Sequence, residues 1–554
     1  MWSDAVPLAQ LMRVALKKAK IAAMSTEKMV DALSTLSLCG LLLGCGSTGN
    51  QPTGLGGKPG GTGGQGGGSS QTTTETITLG QKGNPPIDIL FVLDNGASGS
   101  EIQLKLYDQM PLFLNVLQAL PTPPDLHVAV TTADMGAPSD AMDKIGCTAQ
   151  GDNGAFQGAP KTGTCSTTLM SGATYLADDG NGVTNFTDPI ANVLQCISQV
   201  GESGCGFAQP LAAAAHALGA DNLVNGVPTP PATNDGFLRP DAYLAIIFLA
   251  NQDDCSAPAG TQLFSLDGGE QNLANPLGPI QHYRCNQFGH LCNDPASSNP
   301  QALIMPPLAP PSDAVGTSSP VLALTNCQDN DQGTGLLTPV STFVSDIKAL
   351  KTDPDNQIIV ASIAAPPTPY AVAWVPASGG QDTQPGELWP EVEHSCGAAG
   401  GDDVNPLSEM LTRDGSFGDP AVRLAAFVNG FSDSVLASIC DASYASSTQA
   451  IATKVGQLPG NGSCLSGRIQ DTDAGLPNCT AVAQVADASG TSKSVPYANC
   501  EANGNTAPCW TLVVGTASCA GQTVALNESP SAPSSSVTVS CQVCSPGASV
   551  PGCL

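Results

Sequence analysis

Two near-continuous apolar runs organise the chain: Ile87 to Leu93 (IDILFVL) and Tyr243 to Leu249 (YLAIIFL). A strand that is apolar on both faces must be covered on both, as in a parallel sheet packed between helices. After the first run the apolar spacing becomes helical. Leu106, Met110, Phe113, Leu117 and Leu120 predict one helix over residues 101–120. Residues 189–200, 207–218, 339–351, 421–431 and 446–458 also predict helices, while Leu126 to Thr132 and Gln357 to Ala364 predict strands. This alternation predicts an α/β domain over residues 86–463, with a doubly wound, mostly parallel sheet. Residues 256–337, rich in Pro, Asn, Gly and Cys, predict a loop-rich insertion in it.

From Cys464 the pattern changes to short β-rich runs separated by turn residues. Residues 464–554 therefore predict a small disulfide-rich β appendage with little core of its own. Upstream, residues 46–85 read as a Gly/Ser/Thr-rich flexible linker, because such a composition cannot repay the entropy of ordering. Residues 1–45 read as a signal peptide. Their apolar run, Ala32 to Gly44, is too short to span a bilayer as a helix. The n-region before it is long, and Met24 or Met29 is an alternative start.

The chain has 554 residues, with 19 Lys and Arg against 47 Asp and Glu, a formal net charge of −28. Such a surface repels phosphate backbones, which excludes nucleic acid as a partner. Cys39 and Cys45 lie in the leader. The other eighteen cysteines are disulfide candidates: Cys147, Cys165, Cys196, Cys205, Cys255, Cys285, Cys292, Cys327, Cys396, Cys440, Cys464, Cys479, Cys500, Cys509, Cys519, Cys541, Cys544 and Cys553. Dispersed in this way, they point to an extracytoplasmic, oxidising compartment.

Candidate chemistry gathers where the two apolar runs end. The first ends in Asp94-Asn95-Gly96-Ala97-Ser98 and the second in Asn251-Gln252-Asp253-Asp254. This pairing resembles the metal-ion-dependent adhesion site of von Willebrand factor A (VWA) domains. The resemblance implies Mg²⁺ or Ca²⁺ held by Asp94, Ser98 and Asn251, with one position open to an acidic ligand. The site is degenerate by that standard. Gly96 replaces a serine, Asn251 an aspartate, and Gly204-Cys205-Gly206 stands where a threonine loop is expected. Asp253 and Asp254 could restore a charge, or they could cap the structure after the strand.

The blocks Asp88 to Gln103, Leu126 to Gly136, Gly204 to Leu211, Gly236 to Ser256, Arg284 to Cys292 and Ser438 to Cys440 are similar to a family of Gram-negative bacterial VWA-type lipoproteins. Leu42-Leu43-Gly44-Cys45 resembles a lipobox. It implies acylation at Cys45, a membrane anchor and, with Gly46 following, an outer-membrane lipoprotein facing the periplasm or the cell surface.

His282, Cys285, His290 and Cys292 can also be drawn as a zinc site, although in an oxidising compartment both cysteines favour disulfides. Asp329-Asn330-Asp331-Gln332-Gly333 hints at a calcium loop but reads as a turn. With five histidines and no nucleophile-elbow, zincin or Walker A motif, the chain is not expected to be an enzyme. The expected function is binding of a protein or glycan ligand. The alternatives are a structural envelope scaffold without a metal site and, remotely, an extracellular hydrolase.

Overall fold

The computed structural model describes residues 72–553 except 81–84, 98, 121–122, 138–145, 164, 167–168, 266–272, 274, 312–319, 332–334, 377–387, 398–416, 462–463, 466–467, 487–491, 515–521, 528–535 and 546–549. The leader, Cys45 and most of the linker lie outside the described residues.

One sheet has six strands in the order β14-β11-β7-β2-β3-β4. They are β2 (Pro86–Leu93), β3 (Asp125–Thr132), β4 (Leu176–Asp178), β7 (Tyr243–Ala250), β11 (Ile358–Ala364) and β14 (Asp433–Ser438). β4 is antiparallel to β3, and the other neighbours are parallel. Side chains alternate across the pleat, so each strand feeds two cores. Ile89, Phe91 and Ile247 face α2 (Met110–Gln118), α3 (Ile190–Ile197) and α9 (Ala445–Asn461). Leu90, Val92, Ile246 and Phe248 face α4 (Pro210–Leu218), α6 (Val340–Lys348) and α8 (Val422–Asn429).

The predicted helix over 101–120 is in fact two, α1 (Gly99–Tyr107) and α2. Pro111 has no N–H to donate and its ring collides with the carbonyl four residues back, so the first helix stops and the proline opens the second.

A second sheet, in the order β13-β12-β10-β8-β9, is wholly antiparallel. It comprises β8 (His290–Asn293), β9 (Leu303–Ile304), β10 (Val321–Asp329), β12 (Tyr370–Pro376) and β13 (Leu388–Val392). With α5 (Tyr283–Gly289), it turns the expected loop-rich insertion into an ordered layer that draws further strands from beyond residue 337. Tyr370, Val372 and Trp374 point into its core beside Tyr283 and Leu324.

The third sheet follows the order β1-β20-β16-β17-β18-β19-β15. It contains β15 (Cys464–Leu465), β16 (Cys479–Ala486), β17 (Ser492–Asn499), β18 (Cys509–Val514), β19 (Gln522–Asn527), β20 (Ser536–Cys544) and an unexpected edge strand, β1 (Thr72–Gly80). β1 lies within the stretch read as linker. Its Thr-rich sequence TTTETITLG is β-branched and alternating, which suits an edge strand, and it pairs with β20 over nine residues. A two-stranded hairpin, β5 (Leu223–Val224) and β6 (Val227–Pro228), a 3₁₀ turn (Ala232–Asn234) and a single helical turn, α7 (Pro354–Gln357), complete the described elements.

The expected fold class is corrected by this pairing pattern. Eleven of the sixteen strand pairings among the described residues are antiparallel, so the chain is not a doubly wound, mostly parallel α/β fold but a mixed assembly of separate sheets. Strand–helix alternation reports on local succession only, and the antiparallel layers lack that signature.

Among the described residues, eight disulfides join Cys147–Cys205, Cys165–Cys196, Cys255–Cys285, Cys292–Cys327, Cys396–Cys440, Cys479–Cys541, Cys500–Cys509 and Cys544–Cys553. Of the remaining candidates, the side chain of Cys464 and all of Cys519 lie outside the described residues. This density of bridges belongs to an oxidising, extracytoplasmic setting. No described helix is long and apolar enough to cross a membrane.

Candidate functional site

Strand order in the six-stranded sheet reverses between β2 and β7: β3 follows β2 on one side, whereas β11 follows β7 on the other. At such a point the connections leave in opposite directions and open a crevice beyond the carboxyl ends of the strands. Asp94 ends β2 and Asn251 ends β7, so the two flank that crevice. Asp94 Oδ1 accepts the Gly96 N–H at 2.8 Å, and the Asn251 N–H also reaches the carboxylate. Burial raises the Asp94 pKa. The Gly96 and Asn251 N–H groups and His282 oppose that rise, Asp134 adds repulsion, and the net shift is upward.

The surrounding loops are cross-braced. Gln103 Nε2 donates to the carbonyls of Asp94 at 2.7 Å and Gly201 at 2.8 Å, and Gly204 N–H donates to Asn95 O at 2.8 Å. The Cys147–Cys205 bridge holds this loop against the one after β3, where Asp134 Oδ1 accepts the Gly136 N–H at 2.9 Å. On the other side, Asn251 O accepts the Asp419 N–H at 2.8 Å, and Asp419 Oδ1 lies 2.9 Å from His394 Nδ1. Cys255–Cys285 and Cys396–Cys440 fasten the remaining rim.

Of the five candidate metal ligands, Asp94 and Asn251 come together and Ser98 lies outside the described residues. Asp253 and Asp254 are committed elsewhere. Asp253 Oδ1 accepts the N–H groups of Asp254 at 2.8 Å and Leu424 at 3.0 Å, and its Oδ2 meets Arg423 N–H at 2.8 Å and His290 Nε2 at 2.7 Å. Asp254 Oδ1 accepts from Leu211 N at 3.1 Å and Ser256 Oγ at 2.5 Å, and its Oδ2 accepts from Ser256 N at 3.1 Å and Arg423 Nη2 at 3.0 Å. Together they satisfy the first turns of α8 and α4, where unpaired N–H groups favour a carboxylate. Neither aspartate retains a lone pair with which to reach back to Asp94.

The four-residue zinc site drawn from His282, Cys285, His290 and Cys292 is not formed. Cys285 and Cys292 are in disulfides, and His290 is fully buried between Asp253 and Tyr370, with Nδ1 2.8 Å from the tyrosine hydroxyl. Among the described residues, no group of three or more His, Cys, Asp or Glu side chains is placed to hold a metal ion. The sequence reading did not bring Asp134, His282 or the His394–Asp419 pair to this end of the sheet. They arrive from distant loops, and only the acidic clustering after each strand hinted at them.

No family model and no curated protein matches the chain. Solved structures give loose superpositions. The pilus adhesin SpaC from Lactobacillus rhamnosus GG aligns at 9% identity and TM-score 0.25, over 87% of this chain and 42% of that one. The adhesive tip pilin GBS104 from Group B Streptococcus agalactiae aligns at 10% identity and TM-score 0.22, over 86% of this chain and 82% of that one. The pilus adhesin RrgA from Streptococcus pneumoniae aligns at 9% identity and TM-score 0.22, over 85% and 58%. The chain thus spans under half the length of SpaC. Superpositions this loose leave the reading of the site to its own geometry.

Proposed function

We propose that the chain is a non-enzymatic, extracytoplasmic ligand-binding protein of adhesion type, of VWA-like character at its recognition end and anchored through an acylated Cys45 in the outer membrane. The observation that carries the binding reading is the placement of Asp94 and Asn251 on either side of the strand-order reversal. The bridges Cys147–Cys205, Cys255–Cys285 and Cys396–Cys440 support it, since a rim fixed before contact loses less entropy on binding.

Glycan and envelope-protein arrays probed with the disulfide-formed chain test this reading. Hits that vanish in Asp94→Ala and Asn251→Ala but persist in Asp221→Ala, beside the hairpin, are the expected result. Hits that survive both changes would move recognition to the antiparallel sheets and leave the crevice a scaffold. Labelled palmitate incorporation that persists in Cys45→Ala would refute the anchor.

A further inference from the structure

The seven-stranded sheet has two unlike faces. On β20, Val537, Val539, Cys541 and Val543 point into its core, so the residues between them, Thr538, Ser540 and Gln542, occupy the opposite face. The register carries that face across the neighbouring strands. Ser540 lies opposite Thr76 of β1 and Thr480 of β16, Gln542 opposite Thr74, and Thr538 opposite Val482, while Val482 and Gln484 in turn face Pro496 and Ser494 of β17. Thr74, Thr76, Thr480, Val482, Ser494 and Pro496 are exposed. Side chains join across the strands: Thr76 Oγ1 lies 2.9 Å from Ser540 Oγ, Gln542 Nε2 donates to Thr74 Oγ1 at 2.7 Å, and Gln484 Nε2 donates to Ser494 Oγ at 2.9 Å. None of these positions carries a charge, in a chain whose formal net charge is −28. The result is a grid of hydroxyl and amide groups repeating at about 4.8 Å across the strands and about 6.8 Å along them.

We propose that this face of β1, β20, β16 and β17 binds a neutral polysaccharide, separately from the Asp94 crevice of the six-stranded sheet. Charge selects the class of partner. A charged chain laid here would lose hydration and meet no opposite charge, whereas sugar hydroxyls both donate and accept, as the threonine and serine hydroxyls do, and exchange water for protein bond by bond. Nucleic acid finds no cation on it. A second copy of the chain, or another protein, would need an apolar centre, and among these positions only Val482 and Pro496 are apolar. The repeat also suits a polymer, because contacts weak one by one add along a chain that spans several rows. A short array glycan reaches too few rows to be held, so recognition here is distinct from that expected at the crevice.

Co-sedimentation of the full disulfide-formed chain with insoluble cellulose, chitin, mannan and cross-linked dextran tests the face. At least one of them should retain the chain, and retention should stay level between about 0.05 and 0.5 M NaCl, since no charge is there to be screened. Thr76→Lys combined with Thr480→Lys sets charges on both sides of Ser540 and should cut retention by about 10-fold or more. The same charge change at the exposed Thr342 and Thr352, outside this sheet, should leave it unaltered. Should the lysine variant fail to fold, Thr480→Ala combined with Ser494→Ala takes its place, with a loss of about fivefold or more expected. Retention by none of these polymers, retention that declines with salt, or retention undiminished in the face variants would overturn the proposal. Loss in Asp94→Ala with full retention in the lysine variant would overturn it too, by placing the glycan in the crevice.

Discussion

Arg239 grips Asp88 twice: its backbone N–H meets Oδ2 at 2.8 Å and its Nε meets Oδ1 at 2.8 Å. The same guanidinium reaches Asp125 Oδ1 at 2.7 Å, so the segment entering β7 is fastened across the amino ends of β2 and β3. Asp88 is fully buried, and that burial raises its pKa despite the arginine. Removing the guanidinium leaves this buried carboxylate with only the residue-239 backbone N–H and the more distant Lys351 to offset its charge. Arg239→Met is therefore expected to cost about 3–5 kcal/mol at neutral pH. A carboxyl whose folded pKa is raised stabilises the fold below its unfolded value, and that contribution is lost as pH rises through the folded one. The deficit of Arg239→Met should consequently be smaller near pH 4 than at pH 8 in denaturant titrations. A pH-independent deficit would mean that Asp88 does not carry the effect.

Asp253 has the opposite sign. Burial pushes its carboxyl upward, but His290 and the N–H groups of Arg423 and Leu424 together hold it below the ordinary value of 3.8. Its stabilisation is present above pH 3.8 and is lost as pH falls through the lower folded value. Asp253→Asn should lose about 3 kcal/mol at pH 7 and show a flatter acid limb below pH 3.8. Melting temperatures across pH 2–7 check both expectations.

Restoring a hydroxyl to the crevice should succeed at one glycine and fail at the other. A Cβ on Gly204 would stand 2.3 Å from Asn95 Oδ1, whose side chain is only 3% exposed. Gly204→Ser should therefore destabilise by about 1–3 kcal/mol. A Cβ on Gly96 meets Asp94 Oδ1 at 3.2 Å and needs a shift of only a few tenths of an ångström. Gly96→Ser should cost less than half as much, and equal costs measured by urea unfolding would contradict this account.

Cys255 follows the committed carboxylates and Cys285 lies in α5, so their bridge closes a loop with sequence separation 30 beside His282. Replacing both by alanine is expected to cost about 3–4 kcal/mol by loop entropy. Faster amide exchange should be confined to residues 251–292. Uniformly faster exchange would show that the bridge supports the whole fold and not this loop.

The two long apolar runs were legible because a strand buried on both faces leaves no other reading, and they placed Asp94 and Asn251 at strand ends. The division at Pro111 was written in the sequence but outweighed by the helical spacing around it. β1 was obscured because threonine serves linkers and edge strands alike. β12 shows an alternation of Tyr370, Val372 and Trp374, but the alanines between them are apolar too, so no polar face marks the period. The fates of Asp253 and Asp254 could not be read, since Arg423 and Leu424 lie about 170 residues away in sequence. The fold class failed for a related reason: antiparallel partners chosen over long separations carry no local period.

β1 runs antiparallel to β20, from Thr72 opposite Cys544 to Gly80 opposite Ser536, before the chain enters β2. A pull directed along the β1 axis would load its nine paired residues in shear together, where a pull across that axis would unzip them one by one. The ladder acts as a mechanical fuse. Rupture of the nine-residue ladder would release roughly 30 Å of chain without breaking a pairing of β2, which pairs with β3 and β7 and not with β1.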